Sequence, residues 1–347
     1  MSDFWHGRRV LVTGATGLMG SWLVSALVRS RAVVTGLSRG QTRHAEPAIE
    51  PRSGGAKLIA ASVTDVGVLR DIFETCRPET VFHLAAQALN GTARQDPTFS
   101  LDSNIRGTWT VLETCREYRV SQAVIASSCG VYGESNGSAL NEDAPLRGSS
   151  PYSQSKKCAE LIAIMYARNF GLATGLLRFS NVFGGGDLQF SRLIPGTIRS
   201  TLRSEPCQIR GSGRDRRDFL YVEDAVASYL LLAEALAKDP SLAGQVFNIG
   251  QGLTRTVLEI TNIILTIMRR PDLLPVVQNQ QCADSHDQVL DIAKAHSTLG
   301  WRRRISLEEG IDRTVKWYRA NYSSQSEILT GTAPQTRPAR ASGASGC

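Results

Sequence analysis

The stretch that decides the fold is Thr13-Gly14-Ala15-Thr16-Gly17-Leu18-Met19-Gly20, near the amino terminus. An apolar run at residues 9–13 precedes it and predicts a strand, and residues 18–30 carry a helical pattern. Glycines between a strand and a helix permit a tight turn and bring the backbone close to a pyrophosphate, which then meets the free N–H groups of the helix. We therefore predict a dinucleotide-binding turn with contacts from Gly14, Thr16, Gly17, Leu18, Met19 and Gly20.

Short apolar runs alternate with helical patterns in the first third of the chain. Further strands are predicted at residues 32–37, 57–61, 80–84 and 122–127, and a helix at residues 104–118. Short strands separated by helices indicate βαβ units and a parallel sheet. Beyond residue 186 the pattern loosens into loops, short strands and helices.

These patterns predict an α/β fold of the Rossmann type, a doubly wound parallel sheet with a smaller C-terminal α/β substrate lobe. The dinucleotide-binding domain is expected at residues 1–185 and the lobe mainly at residues 186–322, with crossings of the chain between them. Residues 323–347 are rich in Ser, Thr, Ala, Gly and Pro, a composition that offers no core and predicts a disordered tail.

Composition restricts the partners of the 347-residue chain. It is 42% hydrophobic and 20% charged, and its net charge of +7 favours anionic partners, although a solvated basic surface explains the charge equally well. The basic residues are scattered along the sequence, so nucleic acid is not expected. The sequence contains no run of about 18 apolar residues, so a membrane span is not predicted. Seven cysteines without CxxC or metal-ligand spacing predict no metal site and a reduced, cytoplasmic setting.

The end of the second predicted strand bears on the choice between NAD and NADP. An acidic residue there binds the ribose 2′-hydroxyl, whereas an arginine accommodates a 2′-phosphate. The chain has Leu37-Ser38-Arg39 at this point and no carboxylate. With Ser38 and Arg39 as cofactor contacts the sequence leans toward NADP, and the alternative is that Arg39 is an ordinary surface arginine.

A phenol and an ammonium lie four residues apart in Tyr152-Ser153-Gln154-Ser155-Lys156, hence on one face of a helix. A phenol with a pKa of about 10 is a poor base at neutral pH. A lysine cation and an oxidised nicotinamide beside it favour the phenolate. Ser128, at the end of the fifth predicted strand, can bond the same substrate hydroxyl. We therefore expect Ser128, Tyr152 and Lys156 to form a catalytic group.

The chain resembles the NAD-dependent epimerase/dehydratase family of extended short-chain dehydrogenases over roughly residues 7–318. The glycine turn and the Tyr152–Lys156 pair are joined by an ordered set of further motifs. These are His83-Leu84-Ala85-Ala86-Gln87, Asn104-Ile105-Arg106-Gly107-Thr108, Ser127-Ser128-Cys129-Gly130-Val131-Tyr132-Gly133, Arg178-Phe179-Ser180-Asn181-Val182-Phe183-Gly184, Arg217-Asp218-Phe219-Leu220-Tyr221-Val222-Glu223-Asp224, Phe247-Asn248-Ile249-Gly250 and Leu299-Gly300-Trp301. Within the family, Gly20-Ser21-Trp22-Leu23, Gly184-Gly185-Gly186-Asp187 and Asp287-Gln288-Val289-Leu290-Asp291 are most similar to CDP-glucose 4,6-dehydratases.

The resemblance implies a homodimer that acts on a nucleotide-diphosphate sugar, with Tyr152 and Lys156 also contacting the cofactor. It implies further cofactor contacts from Ser62, Val63, Leu84, Ala85 and Ala86. It implies substrate contacts from Gln87, Ser128, Cys129, Asn181, Arg192, Leu193, Arg210 and Arg217. A guanidinium such as that of Arg217 suits phosphate oxygens through bidentate hydrogen bonds, the alternative being an ion pair with Asp215 or Asp218. Ser62 departs from the family, whose members often carry Asp against the adenine.

The residues after Ser128 also depart from the family's dehydratases. Removal of water across C5 and C6 of a 4-ketohexose needs a base and an acid, which those enzymes usually place there as Asp followed by Glu or Lys. This chain has Cys129 and Gly130 instead. Glu134 is a possible substitute, although a solvent-facing carboxylate is the simpler interpretation.

We therefore favour a 4-epimerase that oxidises its sugar transiently at C4. The alternative is a 4,6-dehydratase with displaced acid and base groups. A protein that senses a dinucleotide without catalysis is a third hypothesis, and the presence of Ser128, Tyr152, Lys156 and Arg217 together argues against it.

Overall fold

The described residues of this computed structural model are 3–40, 55–135, 138–280 and 288–322. The predicted tail at residues 323–347 lies outside them, and so does Asp287. None of the helices among these residues is long and apolar enough to cross a membrane.

A seven-stranded parallel sheet forms the centre of the fold and confirms the predicted α/β class. The strands of the protein are β1 (Arg9–Thr13), β2 (Val33–Ser38), β3 (Lys57–Ala60), β4 (Thr80–His83), β5 (Gln122–Ser128), β6 (Thr174–Phe179), β7 (Asn181–Phe183), β8 (Gln208–Ile209), β9 (Arg216–Tyr221), β10 (Gln245–Ile249), β11 (Thr254–Thr256) and β12 (Val276–Val277). The central sheet has the order β10-β6-β5-β4-β1-β2-β3. Strands β11, β9 and β7 form a second sheet, and β12 and β8 a third.

The helices connect these strands. They are α1 (Leu18–Arg29), α2 (Val66–Cys76), α3 (Asn90–Gln95), α4 (Pro97–Leu101), α5 (Gly107–Glu117), α6 (Pro151–Phe170), α7 (Leu193–Leu202), α8 (Val222–Lys238), α9 (Val257–Met268), α10 (Ala293–Leu299) and α11 (Leu307–Tyr322). The helix predicted at residues 104–118 is divided, because a π-helical turn, Asp102–Arg106, precedes α5.

Two hydrophobic layers cover the two faces of the central sheet. Leu23 of α1 and Leu232 of α8 lie in one layer, and Phe73 of α2 and Leu112 of α5 lie in the other. Strand β1 serves both, because alternate side chains of a strand point to opposite faces, and it is buried along nearly all its length. Helices on both faces of a parallel sheet are the doubly wound arrangement that the alternating pattern predicts.

Strand β10 shows that the chain returns from the C-terminal region to the central sheet. It lies at residues 245–249, within the predicted C-terminal lobe, yet it pairs in parallel with β6 at the edge of the central sheet. This is a crossing of the kind that the sequence suggests, while the division at residues 185 and 186 stays a prediction. The carboxyl ends of β1, β4, β5 and β6 meet at one edge of the sheet, where ligands bind in open α/β folds.

Candidate active site

The glycine turn between β1 and α1 has no room for side chains at two of its positions. Gly14 has a φ of +71°, and a Cβ there would lie 2.8 Å from the backbone nitrogen of Ala85. A Cβ on Gly20 would overlap the carbonyl oxygen of Gly14, whereas one on Gly17 would lie at an ordinary 3.4 Å from that oxygen. Gly17 precedes α1 without a side-chain cap, so the first N–H groups of α1 stay available to phosphates.

Substitution of Gly20 and of Gly17 should separate folding from cofactor binding. Gly20→Ala is expected to destabilise the protein by about 1–3 kcal/mol or more, because the new methyl group meets backbone that cannot move freely. Gly17→Ala is the matched control, which should keep the stability and weaken only the dinucleotide, whose pyrophosphate approaches this backbone. Urea unfolding and calorimetry with NAD measure the two effects. Equal unfolding free energies for the two variants would contradict the close approach at Gly20.

Side chains at the end of β2 contact the glycine turn and residues of the helical segments before α5. Thr16 and Ser38 share a hydrogen bond of 2.9 Å between their hydroxyls. The Arg39 guanidinium carbon lies 4.8 Å from the centre of the Phe99 ring, and its Nη1 donates to Ser103 at 3.3 Å. Burial lowers the pKa of Arg39. Arg39 is therefore exposed but in contact with Phe99 and Ser103, and its role toward a cofactor stays a prediction.

The expected adenine-side residues lie where β3 ends. Ser62 shares a hydrogen bond of 2.8 Å with Thr64, and Val63 is buried. A Cβ on Gly107, at the start of α5, would lie 2.6 Å from Cγ2 of Val63, so the backbone of α5 approaches this loop closely.

A buried histidine that the sequence analysis assigned no role fixes the end of β4. The Thr108 hydroxyl donates to the carbonyl one turn earlier at 2.6 Å, so it accepts from Nε2 of His83 at 3.1 Å. Nδ1 of His83 then accepts from Thr13 at 2.8 Å, and the Thr13 oxygen accepts from the Ala85 N–H at 3.2 Å. Burial, followed by the charge of Lys156, lowers the pKa of His83 to about 3. This neutral ring therefore ties the backbone at Leu84 and Ala85 to β1, the neighbouring strand.

Gln87 lies in the loop that continues from Ala86 and is buried there. Its N–H donates to Asn104 at 2.7 Å, and its side-chain oxygen accepts from the Leu89 N–H at 3.2 Å. These contacts show how the loop is held, and a substrate contact of Gln87 stays a prediction.

The three expected catalytic residues come from β5 and from the start of α6. Ser128 is the last residue of β5, where its hydroxyl accepts from the Gly130 N–H at 3.1 Å. Helix α6 begins after Ser150, whose hydroxyl caps it by accepting from the Ser153 N–H at 3.1 Å. Tyr152 and Lys156 therefore occupy the first and second turns of one helix, on the same side.

The Tyr152 phenol lies between groups that act on its ionisation in opposite directions. Burial raises the pKa of the phenol overall, and a hydrogen bond with Ser128 and the charge of Arg192 act against that increase. Contact between Ser128 and Tyr152 joins the two residues that the sequence assigns to one substrate hydroxyl.

Lys156 is directed at the backbone of β5. Its Nζ donates to the carbonyl of Ala126 at 2.9 Å. Burial lowers the pKa of Lys156 to about 8, and the carboxylate of Glu160, one turn further along α6, acts against that change. A role of Lys156 in favouring the Tyr152 phenolate stays a prediction.

Cys129 is held as a neutral thiol. Its Sγ donates to the side-chain oxygen of Gln288 at 3.1 Å, and Nε2 of Gln288 donates to the carbonyls of Gly133 and, at 3.3 Å, Cys129. Burial, together with the charge of Asp218, raises the pKa of Cys129 to about 12. A thiol with such a pKa is a poor acid and is rarely a thiolate at neutral pH.

The next positions offer no replacement group. A Cβ on Gly130 would lie 3.2 Å from the Ser153 hydroxyl and 3.3 Å from that of Ser128, so a side chain there would require both serines to move slightly. Glu134 is exposed, as expected of a solvent-facing carboxylate.

The expected substrate residues lie on β7, β9 and α7. Asn181 donates through Nδ2 to the carbonyl of Asp218 at 3.0 Å. The Asp218 carboxylate accepts from the N–H groups of Gln251 at 2.8 Å and Gly252 at 3.0 Å, so it is bound to backbone and not to Arg217. Burial raises the pKa of Asp218 to about 6.

Two further arginines border the same region. Arg192 pairs with the buried Asp187, with 3.0 Å between Nη1 and Oδ2, and it directly precedes Leu193, the first residue of α7. Arg210 donates to the carbonyl of Ser191 at 3.2 Å. The charge of Arg192 lowers the pKa of Tyr152, whereas Arg210 is exposed, and a substrate contact of either arginine stays a prediction.

Known proteins resemble the chain along most of its length. The family model for the NAD-dependent epimerase/dehydratase family matches residues 10–250. The CDP-glucose 4,6-dehydratase of Salmonella typhimurium is 30% identical over 344 residues, which cover 92% of each chain. The UDP-glucose 4-epimerase of Mycolicibacterium smegmatis is 31% identical over 317 residues, which cover 90% of this chain and 98% of the relative.

A solved structure of a double mutant of the dTDP-glucose 4,6-dehydratase DesIV from Streptomyces venezuelae, with NAD bound, has a TM-score of 0.82 and 26% identity. It matches 92% of this chain and 99% of its own. The relatives thus include both reactions at nearly equal identity.

Proposed function

This chain belongs to the NAD-dependent epimerase/dehydratase family, and from that premise we propose that it is a nucleotide-sugar 4-epimerase. The observation that carries the proposal is the state of the two positions after Ser128. Cys129 is bound as a neutral thiol by Gln288, and Gly130 has no side chain. An elimination of water needs an acid and a base beside the sugar, and neither position supplies one.

The residues present fit a nicotinamide dinucleotide. The glycine turn admits a close approach of backbone, and the uncapped start of α1 faces it with N–H groups. When bound, the cofactor accepts a hydride from the sugar and returns it.

The chain's own residues move the proton and hold the sugar. Tyr152 takes the proton of the C4 hydroxyl as the C4–H bond is broken, and Ser128 aligns that oxygen. Lys156 keeps a positive charge near the site at neutral pH, because its pKa of about 8 lies above that pH. The 4-keto sugar then rotates, so that the hydride returns to its opposite face while Tyr152 gives its proton back to the oxygen. The product therefore differs from the substrate only in the configuration at C4.

The second candidate is a 4,6-dehydratase. Similarity to the Salmonella CDP-glucose 4,6-dehydratase favours it as strongly as the Mycolicibacterium relative favours the epimerase. It requires an acid and a base from residues other than 129 and 130.

Incubation with a panel of UDP-, CDP- and dTDP-hexoses decides between the two. An epimerase yields an isomer of unchanged mass, which NMR identifies by its configuration at C4. Loss of one water molecule from the product would reject the proposal.

We further propose that the cofactor site accepts NADP(H) at least as well as NAD(H), because β2 ends in Ser38-Arg39 without a carboxylate. Arg39→Ala is expected to weaken NADP(H) roughly tenfold or more, the scale of a lost hydrogen bond to a charged group, and to leave NAD(H) unchanged. Calorimetry with both cofactors measures this. A clear preference for NAD(H) in the parent protein, unaltered by the substitution, would remove the role given to Arg39.

The homodimer implied by the resemblance stays a prediction. Trp109 on α5 and Leu161 and Met165 on α6 are exposed apolar side chains, and α5 packs beside α6, so this face suits a second copy of the chain. Sedimentation equilibrium would measure the mass, and a monomer at micromolar concentration would exclude a stable dimer.

A further inference from the structure

A pocket lies between β9, β11 and the start of α11. Its polar wall is formed by Arg217, Gln251, Arg255, Arg303, Ser306 and Glu308. Of these residues, Arg217 is the one that the sequence predicts to contact the substrate. The pocket is not lined by Ser128, Tyr152 or Lys156. The sequence could not indicate the set, because the arginines are distributed over some ninety residues of chain.

Positive charge accumulates in this pocket. Arg217 and Arg255 are direct cross-strand partners in the antiparallel pair of β9 and β11, so their side chains emerge on the same face. Like charges at such positions repel one another unless an anion lies between them. Arg303 adds a third guanidinium, which binds the neutral side chain of Gln251 at 3.3 Å. The pocket is thus lined by three arginines and one carboxylate, that of the exposed Glu308, while the charges of Asp218 and Glu259 act on Arg303 and Arg255 from outside it.

Gln251 provides an independent indication of a ligand. Its side chain lines the pocket and only 6% of the residue is exposed. Its oxygen accepts from Arg303, whereas its Nε2 has no hydrogen-bond partner among the described residues. A buried donor left without an acceptor is costly, so such groups are usually satisfied by a partner or a ligand. The fixed backbone of Gln251, bound to Asp218, keeps this donor in place.

The start of α11 adds donors of its own. The Ser306 hydroxyl caps the helix by accepting from the Glu309 N–H at 3.1 Å, and α11 runs for 16 residues. The first N–H groups of a helix and the positive end of its dipole favour an anion.

We propose that this pocket binds a phosphate-sized oxyanion, held by Arg255, Arg303 and Nε2 of Gln251. Arg217 borders both the pocket and the region of the proposed substrate. The anion therefore comes from one of two sources, a phosphoryl group of the nucleotide sugar or a separate phosphate. The site itself does not depend on which reaction Tyr152 carries out.

Binding of inorganic phosphate to the full chain in chloride buffer tests the proposal, measured by equilibrium dialysis. Arg303→Ala and Gln251→Leu are each expected to weaken phosphate roughly tenfold or more, as a charge-assisted or buried hydrogen bond is lost. Arg302→Ala is the matched control, since it removes the same charge from an exposed neighbour that does not line the pocket. Urea unfolding establishes that each variant is folded. Arg255→Ala, at an exposed position, provides a further test if Gln251→Leu fails to fold.

Competition with UDP, CDP or dTDP distinguishes the two sources. Displacement of phosphate by a nucleoside diphosphate identifies the substrate's phosphoryl group, and simultaneous binding identifies a separate anion. Absence of saturable phosphate binding in the parent protein, or equal losses in Arg302→Ala and Arg303→Ala, would overturn the proposal. Sugar turnover by a chain that binds no phosphate would reject this site alone, and phosphate binding by a chain without turnover would reject the proposed reaction alone.

Discussion

Tyr152→Phe is expected to lower turnover by roughly 10²-fold or more, the scale of a general acid–base group. The substitution removes the oxygen that we propose takes the proton of the C4 hydroxyl and that contacts Ser128, while the ring keeps its place at the start of α6. Cofactor binding should persist, because the glycine turn and Lys156 are unchanged. Steady-state turnover and calorimetry with NAD measure the two quantities separately.

Tyr166 offers a matched control on the same helix. It is buried, and its hydroxyl donates a hydrogen bond to Glu113 at 2.9 Å, not to Ser128, Tyr152 or Lys156. Tyr166→Phe should therefore leave turnover close to that of the parent protein. Near-normal turnover in Tyr152→Phe, or an equal loss in both variants, would reject the catalytic role of Tyr152.

The second large effect concerns the buried ion pair of Glu160 and Arg178, whose carboxylate also acts on the charge of Lys156. Glu160→Ala is expected to lower the free energy of unfolding by about 3–5 kcal/mol, since it leaves the charge of Arg178 buried without its partner. The two side chains are 2% and 5% exposed, and Nη2 of Arg178 lies 2.7 Å from the Glu160 carboxylate. Ser127 donates to the same carboxylate, and Arg178 donates to the Tyr132 hydroxyl at 2.7 Å.

An exposed ion pair supplies the comparison for this prediction. Glu117 pairs with Arg70 at 2.7 Å on the surface, with side chains 30% and 51% exposed. Glu117→Ala should change the unfolding free energy far less, because solvent screens exposed pairs. Urea unfolding of both variants measures the difference. A loss in Glu160→Ala no larger than that in Glu117→Ala would show that burial does not make the Arg178 pair structurally important.

The central sheet could be predicted from the sequence because its signals are local. Apolar runs of four to seven residues mark β1 to β5, and the glycines at 14, 17 and 20 mark the turn. The spacing of Tyr152 and Lys156 is likewise contained within one helix. Periodicity reports which residues are buried, and so these features need no knowledge of distant partners.

Contacts between distant parts of the chain could not be predicted in this way. Gln288 binds Cys129 across 159 positions, and Trp5 binds Glu234 across 229. The roles of His83 and Glu160 could not be predicted either, although His83 begins the His83–Gln87 motif and Glu160 lies four residues after Lys156, because a buried polar residue reveals its partners only in the folded chain. The position of Glu160 on the helix of Tyr152 and Lys156, one turn after Lys156, is the signal in the sequence that points to it.

The thiol at position 129 separates the two candidate reactions. If Cys129 only borders the proposed sugar site, Cys129→Ala should leave turnover within about tenfold of the parent value, below the scale of an acid–base group. If Cys129 serves an elimination, the same change should stop product formation while C4 oxidation still reduces the cofactor in a single turnover. The hydrogen bond to Gln288 and the raised pKa of the thiol favour the first result.

The reaction in heavy water tests the central claim most directly. The sugar that the panel identifies as substrate is converted in deuterium oxide, and the product is examined by NMR at C5. Return of the same hydride to C4 leaves the C5–H bond intact, so the account predicts an isomer without deuterium at C5. A product that has lost water and carries solvent deuterium at C5 would contradict it.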